Sequence, residues 1–317
     1  MLTALMLCPL LAGCSGPPTP AATPGVASTS PEITSRTLDN LLLLDIERVS
    51  ERRLAAVGGR GYILLSDDDG QHWQQATTSL TSPLTLTALT FIDGQSGWVV
   101  GHDHAILHSA DGGKTWQQQH LDQKQEAPLL DVLFLDRQHG FAVGAYGSFL
   151  ETQDGGKTWI QRSIVDSDRH FNAISGDAGQ LLIAGEGGLL LSSTDAGATW
   201  NELPSPYKGS FFGTLQLADR SWLIFGMRGH IYHSTDAGGS WQPIPHEGTA
   251  FLMGGKAETD GRVTLTDLGG TLLQSKDMGR SFSRLNTPAN KAYAQVLPLP
   301  DNGFLLAGEG GVTPVRP

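Results

Sequence analysis

An eight-residue pattern, Ser/Thr-x-Asp-x-Gly-x-x-Trp/Phe, recurs six times along this chain, and its spacing constrains the fold more than any other feature. The copies begin at Ser66, Ser109, Thr152, Ser193, Ser234 and Ser275, at intervals of 43, 43, 41, 41 and 41 residues. They close on Trp73, Trp116, Trp159, Trp200, Trp241 and Phe282. A regular period of this length means one supersecondary unit per interval, each unable to bury its apolar face without a neighbour.

Every interval follows one grammar. An alternating apolar run leads, as in residues 84–91 (LTLTALTF) and 129–135 (LLDVLFL). A short apolar strand follows, as in residues 97–100 (GWVV) and 140–143 (GFAV). Next comes a glycine-bounded turn, as at residues 144–147 and 185–188, then a third strand into the repeated pattern and a fourth out of its aromatic. Four short strands with evenly spaced turns predict an all-β, seven-bladed propeller of four-stranded antiparallel blades.

The seventh blade is read from residues 292–299 (AYAQVLPL), 303–307 (GFLLA) and 308–311, where the grammar starts again after Phe282. Its fourth strand is missing. Residues 33–38 (ITSRTL) are therefore expected to pair as its outer strand and close the ring, since an open propeller leaves exposed strand edges. Residues 40–46 (NLLLLDI) would open blade one. The alternative is six blades with a disordered end. The six repeated aspartates, Asp68, Asp111, Asp154, Asp195, Asp236 and Asp277, read as structural acceptors for turn amides, not as metal ligands.

Composition narrows the partner. Charged residues make up only 17% of the 317-residue chain and the formal net charge is −11, which repels phosphate backbones and argues against nucleic acid. Residues 1–14 end in Leu-Ala-Gly-Cys and resemble a bacterial lipoprotein signal with a lipobox, although no Lys or Arg precedes the apolar run. Cys14 would carry the lipid, and Cys8 would leave with the signal, so residues 33–317 would hold no cysteine and no disulfide. The segment 15–32, with Pro17, Pro18, Pro20, Pro24 and Pro31, reads as a semi-extended linker. The expected location is the cell envelope, anchored by lipid, with Ser15 favouring the periplasmic side of an outer membrane.

The repeated pattern resembles the Asp-box of the BNR repeat superfamily. With the Gly-x-x-Gly turn ahead of the boxes, residues 41–317 resemble more closely the photosystem II stability/assembly factor family, as a relative from a non-photosynthetic bacterium. The resemblance implies an exported, non-catalytic propeller without cofactor that binds a protein partner and aids assembly or stability of a membrane complex. That partner would be a subunit of the complex or an envelope transporter. Photosynthetic members are associated with an arginine-rich patch. Here the turns between second and third strands supply only Arg60 and Arg228 as basic residues, against Asp103, Glu186, Asp267 and Glu309, which puts photosystem docking in doubt.

The rival reading is a glycan-binding or sialidase-like glycoside hydrolase. That chemistry needs an arginine triad, a Tyr–Glu nucleophile pair and an acid/base Asp. Arg52 and Arg53 lie in a polar turn beside Glu51, and no tyrosine has a nucleophile-like context, so no catalytic residue is assigned. His102, Asp103, His104 and His108 hold donors suited to zinc or copper, yet they read as a polar turn on a solvated rim and no metal is expected.

Binding is expected where the second-to-third-strand turns converge with the loops that precede the innermost strands. The expected face comprises Arg60, Tyr62, His102, His104, Tyr146, Glu186, Arg228, His230, Asp267 and Glu309. The connections at 122–126, 166–169 and 204–208 add to it. Mixed charge with scattered aromatics suits a protein or peptide.

Overall fold

The computed structural model describes residues 32–285 and 291–316; Cys14 and the proline-rich residues 15–31 lie outside them. Seven sheets follow one another along the chain, and in each the strands of the blade pair antiparallel in sequence order. Their innermost strands are Leu43–Arg48, Leu86–Phe91, Leu129–Phe134, Phe171–Asp177, Phe211–Gln216, Leu252–Ala257 and Tyr293–Pro298. Each opens a blade, numbered one to seven here.

The strand patterns explain the ring. Second strands such as Leu54–Gly58, Gly140–Gly144 and Phe304–Gly308 are buried at every residue. A strand that is apolar on both faces needs a sheet on each side of it. Seven apolar clusters supply this, one at each junction between blades. One of them packs Leu297, Leu305 and Ala307 of blade seven against Leu43, Ile46 and Leu54 of blade one. That cluster closes the circle.

Closure differs from the expectation in one respect. Residues 35–38 form a helical turn, Ser35–Leu38, instead of a strand, with the Thr34 hydroxyl capping its N-terminus. The preceding residue, Glu32, bridges to Gln74 of blade one and not to blade seven. Among the described residues blade seven has three strands, ending in Gly311–Val315. Pro314 pairs with Leu305 where Leu65 pairs with Ala55 in blade one, and it has no N–H to offer a fourth strand. Closure therefore rests on packing, reinforced by the Leu42–Glu309 bridge and by Gly310 and Gly311 amides donating to the Leu41 carbonyl. Blade two departs in the other direction: its fourth strand, Thr115–His120, also takes Thr77–Thr78 in parallel.

The repeated pattern forms the turn between third and fourth strands. In the fourth copy the Ser193 hydroxyl accepts from the Gly197 amide at 2.9 Å and donates to Asp195 Oδ1 at 2.8 Å. That oxygen also accepts from the Thr199 amide at 2.9 Å, and Oδ2 accepts from the Thr199 hydroxyl. The Thr199 hydroxyl and amide hold the Asp195 carboxyl down to about 2, so it stays ionised and fully used within its turn. The first copy substitutes the His72 ring, 2.6 Å from Asp68 Oδ2, for that hydroxyl.

Gly197 shows why this position is glycine: its φ is +84°, and a Cβ there would lie 2.4 Å from the Phe141 ring of blade three. Gly197→Ala should therefore strain both the backbone and the junction. Denaturant unfolding is expected to show a loss of roughly 2–4 kcal/mol; an unchanged midpoint would contradict the packing described.

Candidate functional site

The innermost strands begin on the face where the second-to-third-strand turns lie, and one bond per blade ties the two together. The amides of Gly59, His102, Ala145, Glu186, Met227, Leu268 and Glu309 donate to the carbonyls of Leu42, Thr85, Pro128, His170, Ser210, Phe251 and Ala292, at 2.9–3.0 Å. This fixes the backbone of the face and leaves its side chains free. The Asp-boxes sit at the other end of the blades.

In five blades the turn is a single 3-10 segment whose middle residue has left-handed φ: Arg60, Asp103, Tyr146, Gly187 and Arg228. The structure brings most of the expected residues to this face. Arg60, His102, Tyr146, Glu186, Arg228 and Glu309 are exposed, and Tyr62 and His230 are half-buried. Two are not available. His104 is buried and within 3.1 Å of the Ser148 hydroxyl, and buried Asp267 accepts from the Gly269 and Thr271 amides as a turn cap. Arg60 and Arg228 stand on blades one and five, so they form no joint patch.

His108 packs on Trp98 with ring centroids 4.8 Å apart, away from His102 and His104. Among the described residues no group of three His, Cys, Asp or Glu side chains could hold a metal ion. Arg52 and Arg53 pair with Asp69 and Asp67 beside the first Asp-box.

Sequence reasoning missed the apolar character of the face. Five large hydrophobic side chains are exposed among the described residues, and four lie here: Leu42, Tyr146, Phe251 and Leu268. Leu42 and Phe251 immediately precede innermost strands, and Leu268 follows the second strand of blade six. Phe251 packs on Phe212 at 5.9 Å, and Tyr207 on His230 at 4.3 Å. Tyr146 meets His170 edge-on.

It also missed the central channel, a cavity of about 450 Å³ walled by all seven innermost strands. Leu44, Leu130, Phe212 and Met253 line it one residue from the start of their strands, followed by Asp45, Asp131 and Gln295, then Glu47 and Lys256. A signal existed in the acids set inside the apolar runs NLLLLDI and LLDVLFL. These acids stitch blades together. Asp45 accepts from the Leu89 amide of blade two at 2.9 Å, Glu47 from Phe91 at 3.1 Å, and Asp131 from Ile174 of blade four at 2.9 Å. Lys256 Nζ lies 3.7 Å from Glu47.

Burial pushes the Glu47 carboxyl up to about 7, with Lys256 drawing it down and Asp45 pushing it up. Burial likewise raises Asp131 to about 7 against its two amide donors. Asp45 is raised, chiefly by burial. For Lys256, burial favours the neutral amine, but Glu47, Asp45 and Asp131 outweigh it and raise its affinity for the proton.

The comparisons with known proteins agree with this geometry. The sequence profile of the family "Photosynthesis system II assembly factor YCF48" matches residues 79–129 and 123–269. The chain belongs to that family. No curated protein sequence matches it. Among solved structures it is similar to YCF48 bound to D1 peptide, at 19% identity and TM-score 0.69, covering 88% of this chain and 93% of that one. YCF48 from Cyanidioschyzon merolae gives 19% identity and TM-score 0.70 over 88% and 97%. A GH74 enzyme from Niastella koreensis gives 15% and 0.68, covering 87% of this chain and 52% of the enzyme. At such identities these structures show the shared propeller fold alone.

Two outcomes follow for this YCF48-family chain. Glu47 has a folded pKa above its ordinary 4.5, so its contribution to stability is complete below that value and is lost as pH rises through about 7. Thermal unfolding should show stability falling across that window, and Glu47→Gln should flatten the fall by about 2 kcal/mol; an identical pH slope in the variant would refute the assignment. Arg228 is held at φ +57°. Arg228→Gly should relieve this strain and raise Tm by roughly 2 °C, measured by calorimetry.

Proposed function

We propose that this chain is an exported, non-catalytic binding protein that holds a segment of a membrane-complex subunit on the face bearing the second-to-third-strand turns. The observation that carries the reading is the concentration there of four of the five exposed large hydrophobic side chains, Leu42, Tyr146, Phe251 and Leu268. Phe251 and Leu268 adjoin on blade six and Phe251 packs on Phe212 of blade five, a contiguous apolar sector of the kind that marks a binding site. The four stand among exposed charged side chains such as Arg60, Glu186 and Arg228, a mixture that suits a protein or peptide partner. Family membership supports the same role, and a similar structure was solved with a D1 peptide bound.

The backbone adds a further reason. Non-glycine residues at left-handed φ cost about 1 kcal/mol each, and blade four shows that glycine fits the same turn. Arg60, Tyr146 and Arg228 occupy the position despite that cost, and all three are exposed at the tips of their turns, where a partner would meet them. Lipidation at Cys14 would tether the propeller to the envelope membrane; Cys14→Ser should abolish metabolic labelling with a palmitate analogue.

The test compares the wild-type chain with a Tyr146→Ala, Phe251→Ala, Leu268→Ala variant in cross-linking to detergent-solubilised host membranes. The wild-type chain is expected to capture a defined membrane-complex subunit, and the variant to lose at least roughly tenfold of it while keeping its Tm. Equal capture by both proteins, or turnover of sialosides or xyloglucan by the wild type, would overturn the reading.

A further inference from the structure

The channel mouth and the apolar face are continuous. Phe212 lines the channel and also packs on exposed Phe251, which immediately precedes the strand that carries channel-lining Met253. A segment lying on the face therefore passes over an opening whose first ring is mostly apolar, with Leu44, Leu130, Phe212, Met253 and Ala294 against Thr87 and Asn172. Directly beneath are Asp45 and Asp131, then Glu47.

Charge in this channel is unbalanced. Its lining holds three carboxylates and a single ammonium, Lys256. That one lysine is shared among all three acids. Each carboxylate spends itself partly on backbone amides, and Asp45 is bonded by Gln295 as well. Asp131 uses one amide bond per oxygen and keeps a second lone pair on each, and all three carboxylates line the cavity. The acids are also not set as metal ligands, since no group of three gathers closely enough among the described residues. A cation that serves several separated carboxylates at once must be extended and rich in donors, as an ammonium or guanidinium on a flexible stem is.

We infer that the channel mouth of this protein seats a lysine or arginine side chain of its partner, presented between apolar residues that cover Phe212, Met253, Phe251 and Leu268. The apolar ring takes the methylene stem and the carboxylates take the charged head. The net charge of −11 draws such a segment in from solution. This deepens the proposed function and rests on its choice of face. A cation seated beside Glu47 and Asp131 must lower both proton affinities, so binding near neutral pH releases protons.

The experiment pans a phage library of random dodecapeptides on the immobilised full chain and titrates the enriched peptides, synthesised with a fluorescent label, against purified variants. Expected are peptides with a basic residue flanked by apolar ones. Their affinity should fall roughly tenfold or more in Glu47→Gln, Asp131→Asn, and calorimetry in buffers of different ionisation heat should show proton release at pH 7. Lys256→Met, which removes the internal competitor, should tighten binding. Melting curves establish that each variant is folded. Enriched peptides without a basic residue, or basic peptides indifferent to the channel variants but lost with Phe251→Ala, Leu268→Ala, overturn this inference and leave the face as the binding site. Indifference to both sets overturns the face as well.

Discussion

A blade whose second strand is apolar on both sides has no stable existence alone, and every other feature of this molecule answers to that constraint. Each sheet needs two neighbours, seven sheets satisfy one another only in a circle, and the circle leaves an axial channel. Seven junction clusters are the direct expression of the requirement. Blade seven shows how strong it is: with three described strands and Pro314 in the last, it is held in place by its two apolar faces and a few backbone bonds to Leu41 and Leu42.

The innermost strands raise a second problem, because their channel-facing amides and carbonyls have no strand to pair with. Blades one and three solve it with carboxylates reaching to the next blade. Blades two and four use Thr87 and Asn172, which donate to the Leu129 and Phe211 carbonyls. Setting acids in a confined channel raises their proton affinity, and Lys256 offsets this only in part. The inter-blade stitching and the unusual electrostatics are therefore one feature seen from two sides.

The fold was legible in the sequence because repetition reports it directly: the spacing of Trp73, Trp116 and Trp159 counts units without any knowledge of contacts. The ring closure was misread at residues 33–38, since Ile-Thr-Ser-Arg-Thr-Leu was read as the strand that blade seven lacks, but Thr34 offers a helix cap and Leu38 packs against blades one and seven. Surface and interior were separable only in part. His104 and Asp267 occupy the same turns as exposed residues, and their burial follows from partners, Ser148 and the turn amides, that no linear pattern announces. Leu42, Phe251 and Leu268 were overlooked because an apolar residue next to an apolar strand looks like more of the strand.

The single backbone bond that pins each of the seven outer turns has an evolutionary corollary. Because this bond is between main-chain atoms, tip residues such as Arg60 and Tyr146 are released from that duty to the architecture, while Asp267 still caps its own turn. A lineage can exchange Arg60, Tyr146 or Glu186 one sector at a time, like pins in a lock barrel, and acquire a new client while the cylinder around them stays unaltered.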